Sequence, residues 1–365
     1  MIPGRATSAG TRRFARGAPA APAHFREAAD LLLSSIGLGT YLGDEDAATD
    51  RGYEECVATA LDSGVNVFDT AINYRGQRSE RSIGRALAAA IAAGRVERDE
   101  VFVSTKGGYL PHDSEDPREA RAYILETFVE SGLAERSEIV RGGHCISPAY
   151  LRDQIRRSRE NLGLETIDLY YLHNVETQRA SVGPDVFRRR LASAIEVLEQ
   201  TASEGLIAAW GVATWDGLRA PPEHPEHLSL SLLLSLSAEI AGEGHHFRAV
   251  QLPVNLVMPE AIAYPSQEGT PGRLPALEAA ARRGIATFGS ASILQGRLAQ
   301  ELPEEIKAAF PQARSEAQRA LQFSRSSPGM TTSLVGVSTP AHALEDFSLA
   351  KVPPAEPQVV LGLFS

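Results

Sequence analysis

Residues 65–91 read VNVFDTAINYRGQRSERSIGRALAAAI and hold one complete structural unit. The run VNVFDT is apolar and β-branched, as a buried strand should be, and it stops at Asp69. A short polar loop containing Tyr74 and Gly76 follows. Ile83, Leu87 and Ile91 then recur four apart, an apolar stripe on an Ala- and Arg-bearing helix. The unit is strand, loop, helix.

The same unit recurs along the chain. Apolar runs lie at 35–40 (SIGLGT), 65–70, 101–106 (VFVSTK), 167–173 (IDLYYLH), 206–213 (LIAAWGVA), 249–254 (AVQLPV), 285–290 (IATFGS) and 333–338 (SLVGVS), with helical patterns between them. One helix starts at Ser147–Pro148, a hydroxyl cap before a proline that needs no amide donor, and stops at Gly163. Eight alternations in about 300 residues predict an α/β fold, a (β/α)8 TIM barrel. A doubly wound sheet would place a G-x-G-x-x-G turn after its first strand. Here GLGTYLG follows, with no helix opening directly after it.

The expected organisation is an N-terminal arm over 1–26, one barrel domain over 27–352, and a C-terminal tail over 353–365. Two connections, at about 107–147 and 215–246, are long for simple loops. Both follow strand ends, so they are expected to rise over the C-terminal face, where barrel active sites form. The arm has five arginines and no acid. A transit peptide can look like this, but a mobile or surface-hugging arm is the reading adopted.

Composition narrows the function. The 36 basic and 46 acidic residues of the 365 give a formal net charge of −10, which argues against a nucleic-acid partner. No apolar run approaches the ~20 residues of a membrane span. Only Cys56 and Cys145 are present, too few for a disulfide framework, so a cytoplasmic location is expected. Oligomeric state is open.

Chemistry sits at successive strand ends: Asp69 with Tyr74 beyond it, then Lys106, then His173. A barrel brings such ends to one rim. A phenol with an ordinary pKa of about 10 exchanges protons poorly at neutral pH. A neighbouring ammonium favours its phenolate, and a carboxylate keeps that ammonium charged. A histidine beside the phenol can orient a carbonyl oxygen. Such a set suits protonation of an oxyanion, as in carbonyl reduction.

FDTAINYRGQRSERSIGRAL, VSTKGG and DLYYLHN, with WGVATW and VQLPVN in the fifth and sixth strands, resemble the aldo/keto reductase family from about Leu33 to Leu349. The resemblance implies a barrel that binds an extended nicotinamide dinucleotide, NADP or NAD, without a Rossmann domain. It implies Tyr74 as general acid, Lys106 lowering its pKa, Asp69 pairing with Lys106, and His173 aligning the carbonyl of a small-molecule substrate; no metal is needed.

It also implies cofactor contacts from Gly39 and Thr40, from Gln251, from Ser292, Leu294 and Gly296 around the pyrophosphate, and from Ser338, Thr339, His342 and Asp346 around the adenosine phosphates. The family's Ser-Asn pair after the fifth strand is replaced by Ala213 and Thr214. Its stacking tyrosine aligns with Ser290, with Phe288 two residues earlier as the alternative stacker. No Lys or Arg lies between Gly336 and Leu344, so NAD(H) is expected to be tolerated or preferred. Arg325 or an arginine of the arm is expected to serve if a 2′-phosphate is bound. The pocket walls are expected from Tyr41, Tyr109, His144, Asn174 and Trp215. The main alternative is a non-catalytic, redox-sensing member of the same fold. A metal-dependent barrel using His144 and His173 lacks a convincing ligand set.

Overall fold

In a computed structural model that describes residues 1–364, each of the eight apolar runs contributes one strand of a closed parallel barrel. A hairpin precedes it, formed by β1 (Phe25–Ala28) and β2 (Leu31–Ser34). The first six barrel strands are β3 (Ile36–Gly39), β4 (Val67–Asp69), β5 (Phe102–Gly107), β6 (Leu169–His173), β7 (Trp210–Ala213) and β8 (Phe247–Pro253). A two-residue hairpin, β9 (Gln267–Glu268) with β10 (Arg273–Leu274), leads to β11 (Ala286–Ser290) and β12 (Thr332–Gly336), and β12 closes onto β3.

The helices alternate with the strands: α1 (Ser8–Gly17), α2 (Ala47–Asp62), α3 (Arg78–Ala92), α4 (Ala120–Ile124), α5 (Pro148–Leu162), α6 (Glu176–Val182) and α7 (Pro184–Ser203). They continue as α8 (Leu230–Ala241), α9 (Glu260–Ala263), α10 (Ala276–Ala281), α11 (Glu304–Ala309), α12 (Glu316–Ser326), α13 (Pro340–Phe347) and α14 (Pro357–Gly362). None is long and apolar enough to cross a membrane among the described residues.

Two cores hold the barrel. The outer one lies between strands and helices, where Ile83 and Leu87 of α3 meet Phe68, and Leu151, Ile155 and Leu162 of α5 meet Tyr170 and Leu172. The inner one fills the barrel with Val67, Phe102, Leu169, Tyr171, Ala249, Ala286 and Phe288. Glu80 ties the layers together: wholly buried, it accepts from Thr105 Oγ1 at 2.6 Å and Asn161 Nδ2 at 2.8 Å.

The N-terminal residues pack against the end of the barrel where the strands begin. Thr7 caps α1, Ala6 N donates to Asp168 Oδ1 at 2.6 Å, and Arg13 bridges Glu97, Asp99 and Glu100. Hairpin β1–β2 starts at Phe25, so the boundary drawn at residue 26 falls inside an element. The serine-interrupted apolar stretch after 228 is α8, a helix of the barrel ring. The long loop of the second connection is therefore 215–229, with a short turn over 242–246 after α8.

Candidate active site

The strand register sets the rim. Asp69 pairs across to Ser104, Lys106 to Tyr171, His173 to Ala213, and Ala213 to Gln251. The C-terminal ends therefore present Asp69, Lys106, His173 and Gln251 in order around one opening. A cavity of about 460 Å³ lies there. Its wall includes Gly39, Thr40, Tyr41, Asp69, Tyr74, Tyr109, His173, Asn174, Thr214, Trp215, Gln251, Ser290 and Ser292. Asn73, Ala291, Ile293 and Gln295 also line it, and sequence reasoning had not singled them out.

Lys106 lies beneath that surface, wholly buried. Its Nζ donates to Asp69 Oδ2 at 2.5 Å and to the Thr70 carbonyl at 2.8 Å, and it sits 5.0 Å from the centre of the Tyr74 ring. Asp69 is filled from its other side by Ser104 Oγ at 2.7 Å and Gln251 Nε2 at 3.0 Å. Burial alone would lower the Lys106 ammonium, but Asp69 and Tyr74 carry it above its ordinary value. Burial raises the Tyr74 phenol, with Lys106 pulling in the opposite direction, so the phenol stays protonated at neutral pH. His173 is held neutral, by burial first and by Lys106 and His144 next.

Aromatic rings pack around the phenol. Tyr41 and His173 meet Tyr74 edge-on at 5.1 and 5.9 Å, and Tyr109 meets His173 at 5.2 Å. Asn174, at φ +47°, donates to Tyr109 Oη at 3.1 Å. Gly108 passes so close to this group that a Cβ there would lie 2.7 Å from the His173 carbonyl oxygen. The loop beyond Tyr74 is anchored by Arg75, whose guanidinium reaches Asp50 at 2.7 Å and the carbonyls of Asp44 and Asp46.

Several expected residues lie elsewhere. Phe288 stacks on Phe102 at 5.7 Å in the inner core and touches the opposite end of the barrel, so it is not at the mouth. His144 stands behind the wall, wholly buried, its Nε2 2.7 Å from the His173 carbonyl oxygen. Leu294 turns towards the hydrophobic core, and neither it nor Gly296 lines the cavity. Ser338, Thr339 and His342 also lie outside its wall, around the start of α13. Asp346 is buried on the inner face of α13, its carboxyl pushed up to about 7 by burial. Arg325 cannot reach the mouth: it is fully buried and donates to the carbonyls of Leu349 and Val352. The arginines of the N-terminal segment sit at the other end of the barrel.

One further residue emerged only from the structure. Glu176 opens α6 and is 2% exposed, its Oε1 accepting from Trp215 N at 2.6 Å. It braces the loop that carries Thr214 and Trp215. A glutamate three residues past a histidine reads in sequence as an ordinary first-turn acid.

Three buried polar atoms of the cavity wall have no partner among the described residues: Thr214 Oγ1, Asn73 Oδ1 and His173 Nδ1. Buried polar atoms are rarely left unpaired, so together with Gln251 they fit a ligand carrying an amide and a carbonyl.

Comparison with known proteins agrees with the geometry. The model of the aldo/keto reductase family matches residues 35–220. The chain is 30% identical over 192 residues to an NADH-specific methylglyoxal reductase of Escherichia coli, covering 51% of this chain and 50% of that protein. It is 31% identical over 156 residues to a D-threo-aldose 1-dehydrogenase of a Pseudomonas species, covering 42% and 41%. These matches span half or less of the relatives' length. Among solved structures, an aldo-keto reductase from Bacillus halodurans superposes with a TM-score of 0.61 at 18% identity, covering 93% of this chain and 95% of that one. An aldo/keto reductase from Klebsiella pneumoniae in complex with NADP and acetate gives 0.59 at 19% identity, covering 89% and 88%. With the matched segment carrying the aspartate, tyrosine, lysine and histidine of the rim, the chain belongs to the aldo/keto reductase family.

Proposed function

We propose that this protein is a nicotinamide-dependent carbonyl reductase, and alcohol dehydrogenase in reverse, with Tyr74 as general acid. The observation that carries the reading is the Tyr74 phenol in the cavity wall, with a buried Lys106–Asp69 pair behind it. A bound nicotinamide supplies the hydride for the carbonyl carbon. Thr214, Asn73 and Gln251 would hold its carboxamide. His173, neutral, orients the carbonyl oxygen towards the Tyr74 hydroxyl. As negative charge develops on that oxygen, Tyr74 gives it the phenolic proton. The Lys106 ammonium stabilises the phenolate left behind, and Asp69 keeps that ammonium in place.

NADH is the favoured cofactor in this reading. Among the described residues no lysine or arginine lines the cavity wall, and Arg325 is committed inside the fold. The match to an NADH-specific reductase of Escherichia coli supports the same preference, while the Klebsiella pneumoniae structure in complex with NADP supports the nicotinamide dinucleotide class.

Tyr74→Phe tests the mechanism. Removing the proton donor should lower kcat for a reactive aldehyde by at least a hundredfold and leave dinucleotide affinity within about threefold. Unchanged turnover would sink the assignment of Tyr74. A wild-type protein that binds dinucleotide but reduces no carbonyl would favour the redox-sensing alternative.

A further inference from the structure

A second cavity, of about 440 Å³, opens at the opposite end of the barrel from the mouth. It falls within the roughly 300–1,000 Å³ range of small-molecule pockets. We propose that it binds a monocarboxylate with an aromatic or medium-length hydrocarbon body.

The floor of this cavity is apolar. In a packed barrel, bulky branched side chains from the strand starts fill this end. Here β8 and β11 place Ala249 and Ala286 directly opposite one another, and Ala209 precedes β7. Behind them the Phe102–Phe288 stack forms a flat aromatic base. Hairpin β1–β2 contributes Leu31 and Leu33 to the wall but does not plug the space. An apolar body would recover the dispersion contacts that these small residues leave unmade.

The rim is charged. Asp168 is saturated, accepting from Ala6 N at 2.6 Å, Val103 N at 2.8 Å and Arg98 Nη2 at 2.7 Å. His246 is held by Glu199 at 2.7 Å. The Arg248 guanidinium donates to the neighbouring Phe247 carbonyl at 2.9 Å and, at 3.5 Å, to His245 Nδ1, with no ion pair among the described residues. Arg5, exposed, makes no hydrogen bond or ion pair among the described residues. Asp30 is the single unpaired acid on the rim among the described residues. Two unpaired guanidinium groups against one carboxylate leave one excess positive charge, which suits a monoanion. A guanidinium pairs with a carboxylate through two parallel hydrogen bonds, which makes that anion the natural match.

The experiment uses 4-phenylbutyrate as probe and calorimetric titration of the full chain. The expected result is saturable 1:1 binding, unchanged within about twofold by Trp215→Ala at the other end of the barrel. Arg248→Gln, a partly exposed change that keeps the fold, should weaken it at least tenfold, as should replacing the probe with uncharged 4-phenylbutan-1-ol. Ala286→Leu should abolish it by filling the cavity, with a thermal melt confirming that the variant is folded. Absence of saturable binding at millimolar probe would overturn the proposal. So would equal affinity for the alcohol, equal affinity in Arg248→Gln, or loss of binding in Trp215→Ala.

Discussion

Tyr74 in water would hold its proton with a pKa of about 10, and Lys106 would be a flexible surface cation. The barrel changes both by burial. A lysine wholly excluded from water must be paired, and Asp69 at 2.5 Å supplies the partner. Because Asp69 is also held by Ser104 and Gln251, truncating it would expose more than one contact. Asp69→Asn should leave a buried ammonium without its counter-charge. The expected cost is about 3–5 kcal/mol of stability, read as a lower denaturant midpoint, together with loss of turnover. A variant as stable as wild type would show that Lys106 does not depend on Asp69. Glu176 presents the opposite case, a buried carboxyl with no cation. Burial pushes it up to about 7 from an ordinary 4.5. A raised acid pKa means that the folded state holds the proton more tightly. The stability this group contributes is therefore complete below about pH 4.5 and is lost as pH rises through about 7. Glu176→Gln, neutral throughout, should remove a pH-dependent loss on the order of 3 kcal/mol between pH 5 and 8. Identical pH–stability slopes in mutant and wild type would refute it.

At the scale of elements, the loop between β4 and α3 illustrates how a catalytic group is positioned by residues that never touch substrate. Arg75, Gly76 and Gln77 are all left-handed, at φ +50°, +55° and +71°. That turn is held because the buried Arg75 guanidinium bonds Asp50 and two carbonyls before α2. Arg75→Ala removes one of the guanidinium groups on Asp50, which keeps Arg78 at 2.7 Å, and frees the turn. It should cost about 1–3 kcal/mol in stability through the lost charge-assisted hydrogen bonds and lower kcat beyond what the lost stability explains, with crystallography checking whether Tyr74 moves. A mutant with normal kcat would detach the turn from catalysis. This level also shows what could be read from sequence. Buried parallel strands advertise themselves as apolar runs, so all eight were legible, and with them the rim order of Asp69, Lys106 and His173. Phe288 misled for a definite reason. Period-two reasoning gave it the right face of β11, but two residues along a strand is roughly 6.6 Å of depth, enough to move a ring from the mouth into the core. Depth is set by how the strands stagger when the barrel closes, and local sequence carries no mark of that. Glu176 and Asn73 were missed because their importance lies in contacts with a distant loop or an unfilled cavity.

The molecule as a whole carries a formal net charge of −10, and its mouth offers a dinucleotide no exposed cation in the cavity wall. NADPH brings an extra phosphate with a charge of about −1.5 to −2. Both the missing local partner and the repulsive global field therefore work against it. Of the two tryptophans, Trp210 is buried in the barrel and Trp215 lies at the mouth, so dinucleotide binding should quench emission chiefly through Trp215. Trp215→Phe should lose most of that signal while thermal melting still reports binding, since a ligand at a hundred times its Kd adds about 2.7 kcal/mol to stability. Titrated this way at low ionic strength, NADH should bind at least tenfold more tightly than NADPH. Raising salt shortens the Debye length to about 8 Å near 0.15 M and below that at higher concentration. The general repulsion should then fade, so the gap between the cofactors narrows with salt but does not close, because the missing arginine or lysine is a contact deficit that screening cannot supply. A tighter Kd for NADPH at low salt would overturn the preference outright. A gap that vanished completely with salt would assign it to net charge alone and remove the local cofactor loop from the explanation.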